Sequence, residues 1–394
     1  MSRSFDEVID RSDTNAVKYD RTTLKAFFGQ EDLMPFWVAD MEFAVPEAVT
    51  KALRKAVDHG IFGYSTRPDS YYQAIIDWTQ KRFNYTVEKE WIGFTPGIVP
   101  AVNYALQAFC MPGDKVIIQQ PVYYPFARSI LNNGCQVLDN TLVYENGRYE
   151  IDFEDLEKKA RDPLATMMIL CSPHNPVSRV FTKEELSRIG EICLENNVMV
   201  LADEIHNDIV FEGYEHTVFA SISKAFEDIA ITCTAPSKTF NLAGMQASSI
   251  VIANPKTRER FNRVLERNSI GFQNPLSIVA VEAAYRHGEE WLEDLLRYLE
   301  GNIMTIKDFL SRELPEAKLV EPEGTYLAWI DLSAYESDGM KLEKTMAQAG
   351  GVALDGGSWF GPSGNGFLRL NFACSRSMLL EGLKGIKKGV EALK

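Results

Sequence analysis

The sequence predicts an α/β fold, with a large domain built on a mostly parallel sheet flanked by helices and a smaller α+β domain. Short continuous apolar runs alternate with helical patterns in the middle of the chain, as is typical of strands buried on both faces. The length of 394 residues also exceeds what one simple hydrophobic core accommodates. We therefore expect residues 45–286 to form the large domain and residues 1–44 with 287–394 to form the small one.

Six apolar runs within the large domain are predicted to be strands. They are KVIIQ at 115, CQVL at 135, MMILC at 167, VMVLA at 198, IAITC at 229 and SIVIA at 249. Consecutive parallel strands need crossover connections of about a dozen or more residues, and TKEELSRIGEICLENN is such a segment. Its Thr182 is followed three residues later by Glu185, the pattern of a capping box at a helix N-terminus.

A long amphipathic helix is predicted after the large domain, because apolar residues recur there at steps of three and four. These residues are Trp291, Leu295, Leu299, Ile303, Ile306 and Leu310. Beyond this helix, TYLAWID and GFLRLNFA have the pattern of strands, whereas LEKTMAQAG and SMLLEGLKGIKKGVEAL have the pattern of helices. The first 40 or so residues have too little periodicity to fold alone, so we expect them to pack on this C-terminal unit.

Composition argues against several classes of function. The 41 Lys and Arg against 55 Asp and Glu give a net charge of −14, which repels nucleic-acid phosphates and anionic lipid heads. The start of the chain lacks the apolar core of a signal peptide, and no apolar run has the roughly 18 residues that span a bilayer. We therefore expect a cytoplasmic protein. Its six scattered cysteines and five histidines predict neither a disulfide framework nor a metal site.

Lys238, in TAPSKTFNLAGMQ, is the leading candidate for chemistry. It follows a predicted strand and is flanked by Ser237 and by small residues, so the backbone can approach a planar ligand closely. A solvated surface charge is the alternative for any single lysine. Asp203 and Asn175 follow two other predicted strands, at the carboxyl ends where ligands bind in open α/β sheets. Capping of the next segment explains the position of Asp203 equally well.

Gly97, in FTPGIVPAVNYALQAF, is predicted to open a helix. The unpaired N–H groups and the dipole at a helix N-terminus favour an anion, with an effect of about 0.3 to 1 kcal/mol. The segment is therefore a candidate phosphate cradle. A plain turn is the alternative, since the lysine of a P-loop is absent.

A phosphate cradle, an asparagine, an aspartate and a lysine in this order along the chain resemble the fold-type-I pyridoxal-phosphate enzymes, the aspartate aminotransferase superfamily. The resemblance covers nearly the whole chain. The chain is most similar to the cystathionine β-lyase branch typified by the MalY and PatB proteins. The segments that carry this similarity are WVADMEF, GYS, TPGIVPAV, PVYYPF, CSPHNPVSRVF, LADEIHNDIVF, SKTFNLAG and RLNFA.

The resemblance implies pyridoxal 5'-phosphate (PLP) as the cofactor and a role for each candidate residue. Lys238 would form an imine with the cofactor aldehyde and then move the substrate α-proton. Asp203 would keep the pyridine nitrogen protonated, because a carboxylate beside a cation favours the charged form. Asn175 would hydrogen-bond the phenolic oxygen. Phosphate contacts would come from the main-chain amides of Gly97 and Ile98 and from the Ser237 hydroxyl.

Three aromatic side chains have roles that the resemblance leaves open. Tyr123 in PVYYPF aligns with the aromatic residue that stacks on the cofactor ring, and Tyr124 is a candidate proton donor. Both tyrosines could instead fill the interior. His206 stands where many aminotransferases have a tyrosine that contacts the cofactor, and a core role fits it at least as well.

One position departs from the superfamily pattern. Where aspartate aminotransferase has a phosphate-binding arginine, this chain has Gln246, which forfeits a charged hydrogen bond of about 1.5 to 3 kcal/mol. Tyr64 in GYS aligns with a tyrosine that binds the phosphate of the neighbouring subunit. The resemblance therefore implies a homodimer with shared active sites.

Arg369, in GFLRLNFA, is the candidate ligand of the substrate α-carboxylate. Strand alternation places Arg369 and Asn371 on one face, and the planar guanidinium matches a carboxylate bidentately. A surface salt bridge is the alternative. In the family Arg369 aligns with the residue that holds this carboxylate, and Ala39 and Asp40 would add main-chain contacts to it.

The same fold supports both β-elimination and transamination, so the fold alone does not decide the reaction. The resemblance to the cystathionine β-lyase branch favours β-elimination. The expected reaction cleaves cystathionine or a related L-cysteine S-conjugate to a thiol, pyruvate and ammonia. An aminotransferase is the alternative enzyme. A regulatory protein-binding module is the alternative of another class, and no sequence feature supports it.

Overall fold

The computed structural model describes residues 4–393 and confirms the α/β fold class. The strands are β1 (Met34–Pro35), β2 (Ile92–Thr95), β3 (Lys115–Ile118), β4 (Gln136–Asp139), β5 (Val143–Glu145), β6 (Arg148–Glu150), β7 (Ala165–Cys171), β8 (Met199–Asp203), β9 (Ala230–Thr234), β10 (Ser248–Val251), β11 (Lys318–Leu319), β12 (Leu327–Asp331), β13 (Val352–Ala353), β14 (Asp355–Gly356) and β15 (Phe367–Asn371). The α-helices are α1 (Arg21–Phe28), α2 (Glu47–His59), α3 (Asp69–Phe83), α4 (Ile98–Phe109), α5 (Pro125–Asn132), α6 (Phe153–Ala160), α7 (Lys183–Glu195), α8 (Lys224–Ile229), α9 (Pro236–Thr239), α10 (Pro255–Arg267), α11 (Pro275–His287), α12 (Glu289–Glu313), α13 (Gly339–Thr345) and α14 (Arg376–Glu391).

The larger sheet has seven strands in the order β2-β10-β9-β8-β7-β3-β4. Strands β4, β3, β7, β8 and β9 run parallel, whereas β10 is antiparallel to both β9 and β2. Alternate residues of β7 belong to two different hydrophobic clusters, one on each face of the sheet. Burial on both faces explains why the central strands are continuous apolar runs in the sequence.

The crossover helix α7 begins with the capping box that the sequence predicts. The Glu185 N–H donates to Thr182 Oγ1 at 3.2 Å, and the Thr182 N–H donates to Glu185 Oε2 at 2.7 Å. Two otherwise unpaired N–H groups are thereby satisfied at the helix start. The capping box thus fixes the start of the helix that connects the parallel strands β7 and β8.

The smaller sheet is antiparallel, in the order β11-β12-β15-β14, and the long helix α12 precedes it in the chain. The N-terminal segment packs against this part of the molecule, because β1 pairs with β13 in parallel and the Asn371 N–H donates to Phe36 O at 3.0 Å. From these two sheets we propose the domain division given above, 45–286 and 1–44 with 287–394. Across residues 4–393, no helix has the length and apolar character to cross a bilayer.

Candidate active site

Three neighbouring parallel strands of the larger sheet end at one cavity of about 260 Å³. Asp203 is the last residue of β8, Asn175 lies four residues beyond the end of β7, and Lys238 lies on the short helix α9 after β9. All three side chains line the cavity. Seven other predicted site residues also line it: Ala39, Ile98, Tyr123, Tyr124, His206, Ser237 and Arg369.

The amine of Lys238 is buried and bonded to the N-terminal segment. Its Nζ donates to Ala39 O at 2.6 Å, and the same carbonyl accepts from the Tyr326 hydroxyl at 2.9 Å. Burial lowers the pKa of Lys238 to about 8, against the opposing effect of the Asp40 carboxylate. A larger fraction of this amine is therefore neutral near pH 7 than of an exposed lysine, as a nucleophile or a general base requires.

Asp203 is a buried carboxyl group at the end of the central strand. Its Oδ1 accepts from the Ile205 N–H at 3.2 Å, so it also makes the local capping contact that the sequence allows. Burial raises the pKa of Asp203 to about 7, against the lowering effects of that hydrogen bond and of Lys238. A cation placed beside this carboxyl group would favour its ionised form.

Arg369 is held in a fixed orientation by several acceptors. Its Nη1 donates to Asn175 Oδ1 at 3.1 Å and its Nη2 donates to Trp37 O at 2.6 Å. Nη2 also forms a buried ion pair with Asp355, whose pKa burial raises to about 6. Nε is buried and has no hydrogen-bond partner within residues 4–393. This pre-oriented guanidinium is suited to binding a carboxylate.

The two tyrosines of PVYYPF stand together on the cavity wall, with ring centroids 5.6 Å apart. The Tyr123 N–H donates to Asn175 O at 3.0 Å, which fixes the backbone of this segment to the strand end that carries Asn175. Burial raises the pKa of both hydroxyls, so both stay protonated and able to donate. The geometry therefore permits stacking by one ring and proton donation by the other.

His206 is a buried, neutral side chain. Its ring lies 5.8 Å from that of Tyr326, and burial lowers its pKa well below the usual value. Nδ1 has no hydrogen-bond partner among the residues that the structure describes. His206 lines the cavity but makes no polar contact that distinguishes a binding role from a core role.

The predicted phosphate cradle has the backbone that the sequence implies. Gly97 precedes α4 with φ of +140°, a conformation that favours glycine, and its carbonyl accepts from Thr95 Oγ1 at 2.8 Å. The first four N–H groups of an α-helix have no partner inside the helix, and Ile98 and Ser237 line the cavity beside them. Gln246 is exposed, and it has no side-chain hydrogen bond within 4–393.

These groups fit the cofactor that the resemblance implies. PLP combines a phosphate, an aldehyde and a pyridine nitrogen, and the cavity offers a helix N-terminus, a buried amine and a buried carboxyl group. The buried Asp203 carboxyl group accepts only one hydrogen bond within residues 4–393, from the Ile205 N–H, so it can accept another from a protonated pyridine nitrogen. Over residues 4–393, no cluster of His, Cys, Asp and Glu could hold a metal ion.

Three predicted residues do not line the cavity. Gly97 lies just before it at the helix start. Asp40 lies one residue beyond Ala39, where its carboxylate pairs with Arg11 at 2.7 Å and its carbonyl accepts from Asn371 Nδ2 at 2.6 Å. Tyr64 is 92% exposed. The roles assigned to these residues stay predictions, and an exposed Tyr64 is compatible with a contact to a second subunit.

Sequence reasoning missed two residues that shape the site. Trp37 lines the cavity and accepts from Arg369 through its carbonyl; it stands in the same motif as Ala39 and could have been found there. Asp355 follows a short apolar run and belongs to no motif. It is directly opposite Arg369 in the pairing of β14 with β15, a register that the sequence does not reveal.

The chain matches the model of the family "Aminotransferase class I and II" over residues 31–386. It is 47% identical over 384 residues to cystathionine beta-lyase PatB of Bacillus subtilis, covering 98% of this chain and 99% of PatB. It is 31% identical to the protein MalY of Escherichia coli, with 99% of each chain covered. Cystalysin from Treponema denticola, whose crystal structure contains PLP, superposes with a TM-score of 0.96 at 38% identity over 100% of both chains. The chain therefore belongs to the aminotransferase class I and II family.

Proposed function

We propose that this protein is a PLP-dependent carbon–sulfur β-lyase. Its substrates are cystathionine or related L-cysteine S-conjugates, and its products are a thiol, pyruvate and ammonia. The observation that carries the proposal is the cavity in which a buried amine, a buried carboxyl group and a fixed guanidinium meet, at Lys238, Asp203 and Arg369. The name of PatB as a cystathionine beta-lyase and the PLP of cystalysin support it.

Bound PLP supplies an electron sink that stabilises negative charge at the substrate α-carbon. Arg369 binds the substrate α-carboxylate and so fixes the orientation of the α-carbon. Lys238, its pKa lowered by burial, takes the α-proton as a general base. Tyr124, kept protonated by burial, donates a proton to the departing sulfur.

The remaining candidate residues hold the cofactor. Asp203 would hold the pyridine nitrogen in its protonated form, and that cation would favour the ionised form of the Asp203 carboxyl group. Asn175 would donate a hydrogen bond to the phenolic oxygen, and Tyr123 would stack on the ring. The phosphate would be held by the main-chain amides at the start of α4, together with the Ser237 hydroxyl.

The proposal is tested by the products formed from L-cystathionine with and without an added 2-oxo acid. We expect pyruvate, ammonia and homocysteine to form at the same rate in both conditions. Lys238→Ala should lower this rate at least about a hundredfold, because it removes the general base. Lys387→Ala, a change at a lysine on helix α14 remote from the cavity, should leave it unaltered.

An aminotransferase would give a different result. Turnover would then require the 2-oxo acid and would return the matching amino acid instead of ammonia. That outcome would replace the lyase by the alternative enzyme of the same family.

We also infer a cytoplasmic homodimer with shared active sites. The segment 60–64 between α2 and α3 exposes large apolar side chains, and the Tyr64 ring lies 5.1 Å from that of Phe272, which is exposed as well. Exposed apolar side chains grouped on one surface favour a protein–protein contact. In a dimer, this surface would bring Tyr64 to the phosphate of the neighbouring subunit.

A further inference from the structure

A second cavity, of about 800 Å³, adjoins the candidate active site. Tyr124 lines both cavities. Its ring lies 5.9 Å from that of Trp359, in the second cavity, and 5.8 Å from that of Phe360, on which the Arg369 guanidinium stands at 5.0 Å. These contacts connect the proposed carboxylate site to the second cavity by one continuous wall of side chains.

The second cavity presents charges of both signs. Arg128 and Lys344 line it, and neither side chain has an ion pair or hydrogen bond within residues 4–393. Glu343 also lines it and likewise has no ion pair in the described part of the chain. A Cβ atom at Gly356 would overlap the Glu343 carboxylate, so this carboxylate lies against the strand that carries Asp355.

The charged groups stand beside aromatic surface. Phe27, Phe28 and Trp359 line the same cavity, and the Phe28 and Trp359 rings are stacked with centroids 5.9 Å apart. Burial raises the pKa of Glu343 to about 7, so an adjacent cation would favour its ionised form. The cavity thus offers aromatic surface for methylene groups and a separate partner for each charge of a zwitterion.

We propose that the second cavity binds the leaving-group end of the substrate where that end is itself an amino acid, with its distal carboxylate at Arg128 and its distal ammonium at Glu343. This inference rests on the proposed lyase function and specifies the substrate class of that site. Lys344 adds to the positive charge near the distal carboxylate. Thioethers that carry a second amino-acid head are then preferred over simple S-alkyl cysteines of the same length.

Three substrates separate the two charges. L-Cystathionine carries both the distal carboxylate and the distal ammonium, S-(3-carboxypropyl)-L-cysteine carries only the carboxylate, and S-propyl-L-cysteine carries neither. The kcat/KM of each is measured with the holoenzyme and with the variants Arg128→Gln and Glu343→Gln. Arg312→Gln, a change at an exposed arginine on α12, is the matched control.

Arg128→Gln should lower kcat/KM about tenfold for both substrates that carry a distal carboxylate, mainly through KM, since charged hydrogen bonds are lost. Glu343→Gln should lower it about tenfold for cystathionine alone. Neither variant should alter the value for S-propyl-L-cysteine, which also shows that both variants fold. Equal losses for all three substrates, or no loss for any, would overturn the proposal.

A failure of the lyase function has a separate signature. It would appear as the absence of pyruvate from all three substrates with the unaltered protein. In that case the same three amino acids are compared as amino donors in transamination, and the ratios between them test the second cavity in the same way.

Discussion

The guanidinium of Arg369 and the carboxylate of Asp355 form a buried ion pair in which each charge compensates the other. Both side chains are almost fully buried, and Asp355 directly faces Arg369 across the β14–β15 pair. Removing one member of a buried ion pair leaves the other without compensation, at a cost of about 3–5 kcal/mol. The orientation of the substrate-binding group is therefore coupled to the stability of the fold.

We expect Arg369→Gln to raise the KM for L-cystathionine by roughly 10- to 100-fold, with a smaller change in kcat. The reason is the loss of charged hydrogen bonds of about 1.5–3 kcal/mol to the α-carboxylate. Steady-state kinetics checks this expectation, with Arg312→Gln as the surface control. An unaltered KM would show that the α-carboxylate binds elsewhere.

The same variant should lose stability in a pH-dependent way. Asp355 has a pKa of about 6 beside Arg369, and the loss of the arginine raises it further. When folding raises the pKa of a carboxyl group, the folded protein becomes less stable as the pH rises, because the group must then either keep its proton against the solution or ionise in a buried position. Arg369→Gln should thus have a lower unfolding free energy than the unaltered protein, by a small amount at pH 5 and by a large amount at pH 8. Denaturant titration at the two pH values measures this difference.

Individual residues differ in how far the sequence predicts them. Lys238, Asp203 and Asn175 are candidates from the sequence because each follows an apolar run that ends at the edge of a parallel sheet, and the family resemblance assigns their roles. Asp355 was not predicted, because its importance depends on a cross-strand register. The second cavity was not predicted either, since its lining residues are brought together only by packing.

Among the secondary-structure elements, the central strands are predictable because they are continuous apolar runs. Short or exposed elements lack this pattern and are harder to predict. The strand β2 was not predicted, although its four residues pair antiparallel with β10 at the sheet edge. The hairpin β5–β6 was also missed, although Asn146 and Gly147 at its turn, both with positive φ, are a recognised two-residue signal. The predicted helix LEKTMAQAG begins earlier, at Gly339, and continues after Thr345 as a π-helical turn.

The segment 60–64 is an exposed apolar connection between α2 and α3. Phe62 is 57% exposed, so Phe62→Asp introduces a charge without altering the core. We expect the unaltered protein to sediment as a dimer and Phe62→Asp to shift it towards a monomer with at least tenfold lower activity, because Tyr64 then leaves the neighbouring site. Met304→Asp, at an exposed methionine on α12, is the control. A fully active monomer of the unaltered protein would contradict the shared site.

At the scale of the whole molecule, the two sheets and the N-terminal segment meet at one cavity. Lys238 lies on α9, which follows a strand of the larger sheet, Arg369 lies on β15 of the smaller sheet, and Ala39 lies in the N-terminal segment that bonds to Lys238. The class of fold is predictable because strands that are buried on both faces have continuous apolar sequences. The domain boundaries stay a prediction, because one hydrophobic cluster includes residues of both parts.

The most direct test is to load the protein with PLP, reduce it with borohydride, and map the modified peptide by mass spectrometry. We expect a yellow protein whose visible absorbance disappears on reduction, and a pyridoxyl phosphate group on the peptide that contains Lys238. Lys238→Ala should carry no such group. Attachment at another lysine, or no attachment in the unaltered protein, would contradict the assignment of this cavity as the cofactor site.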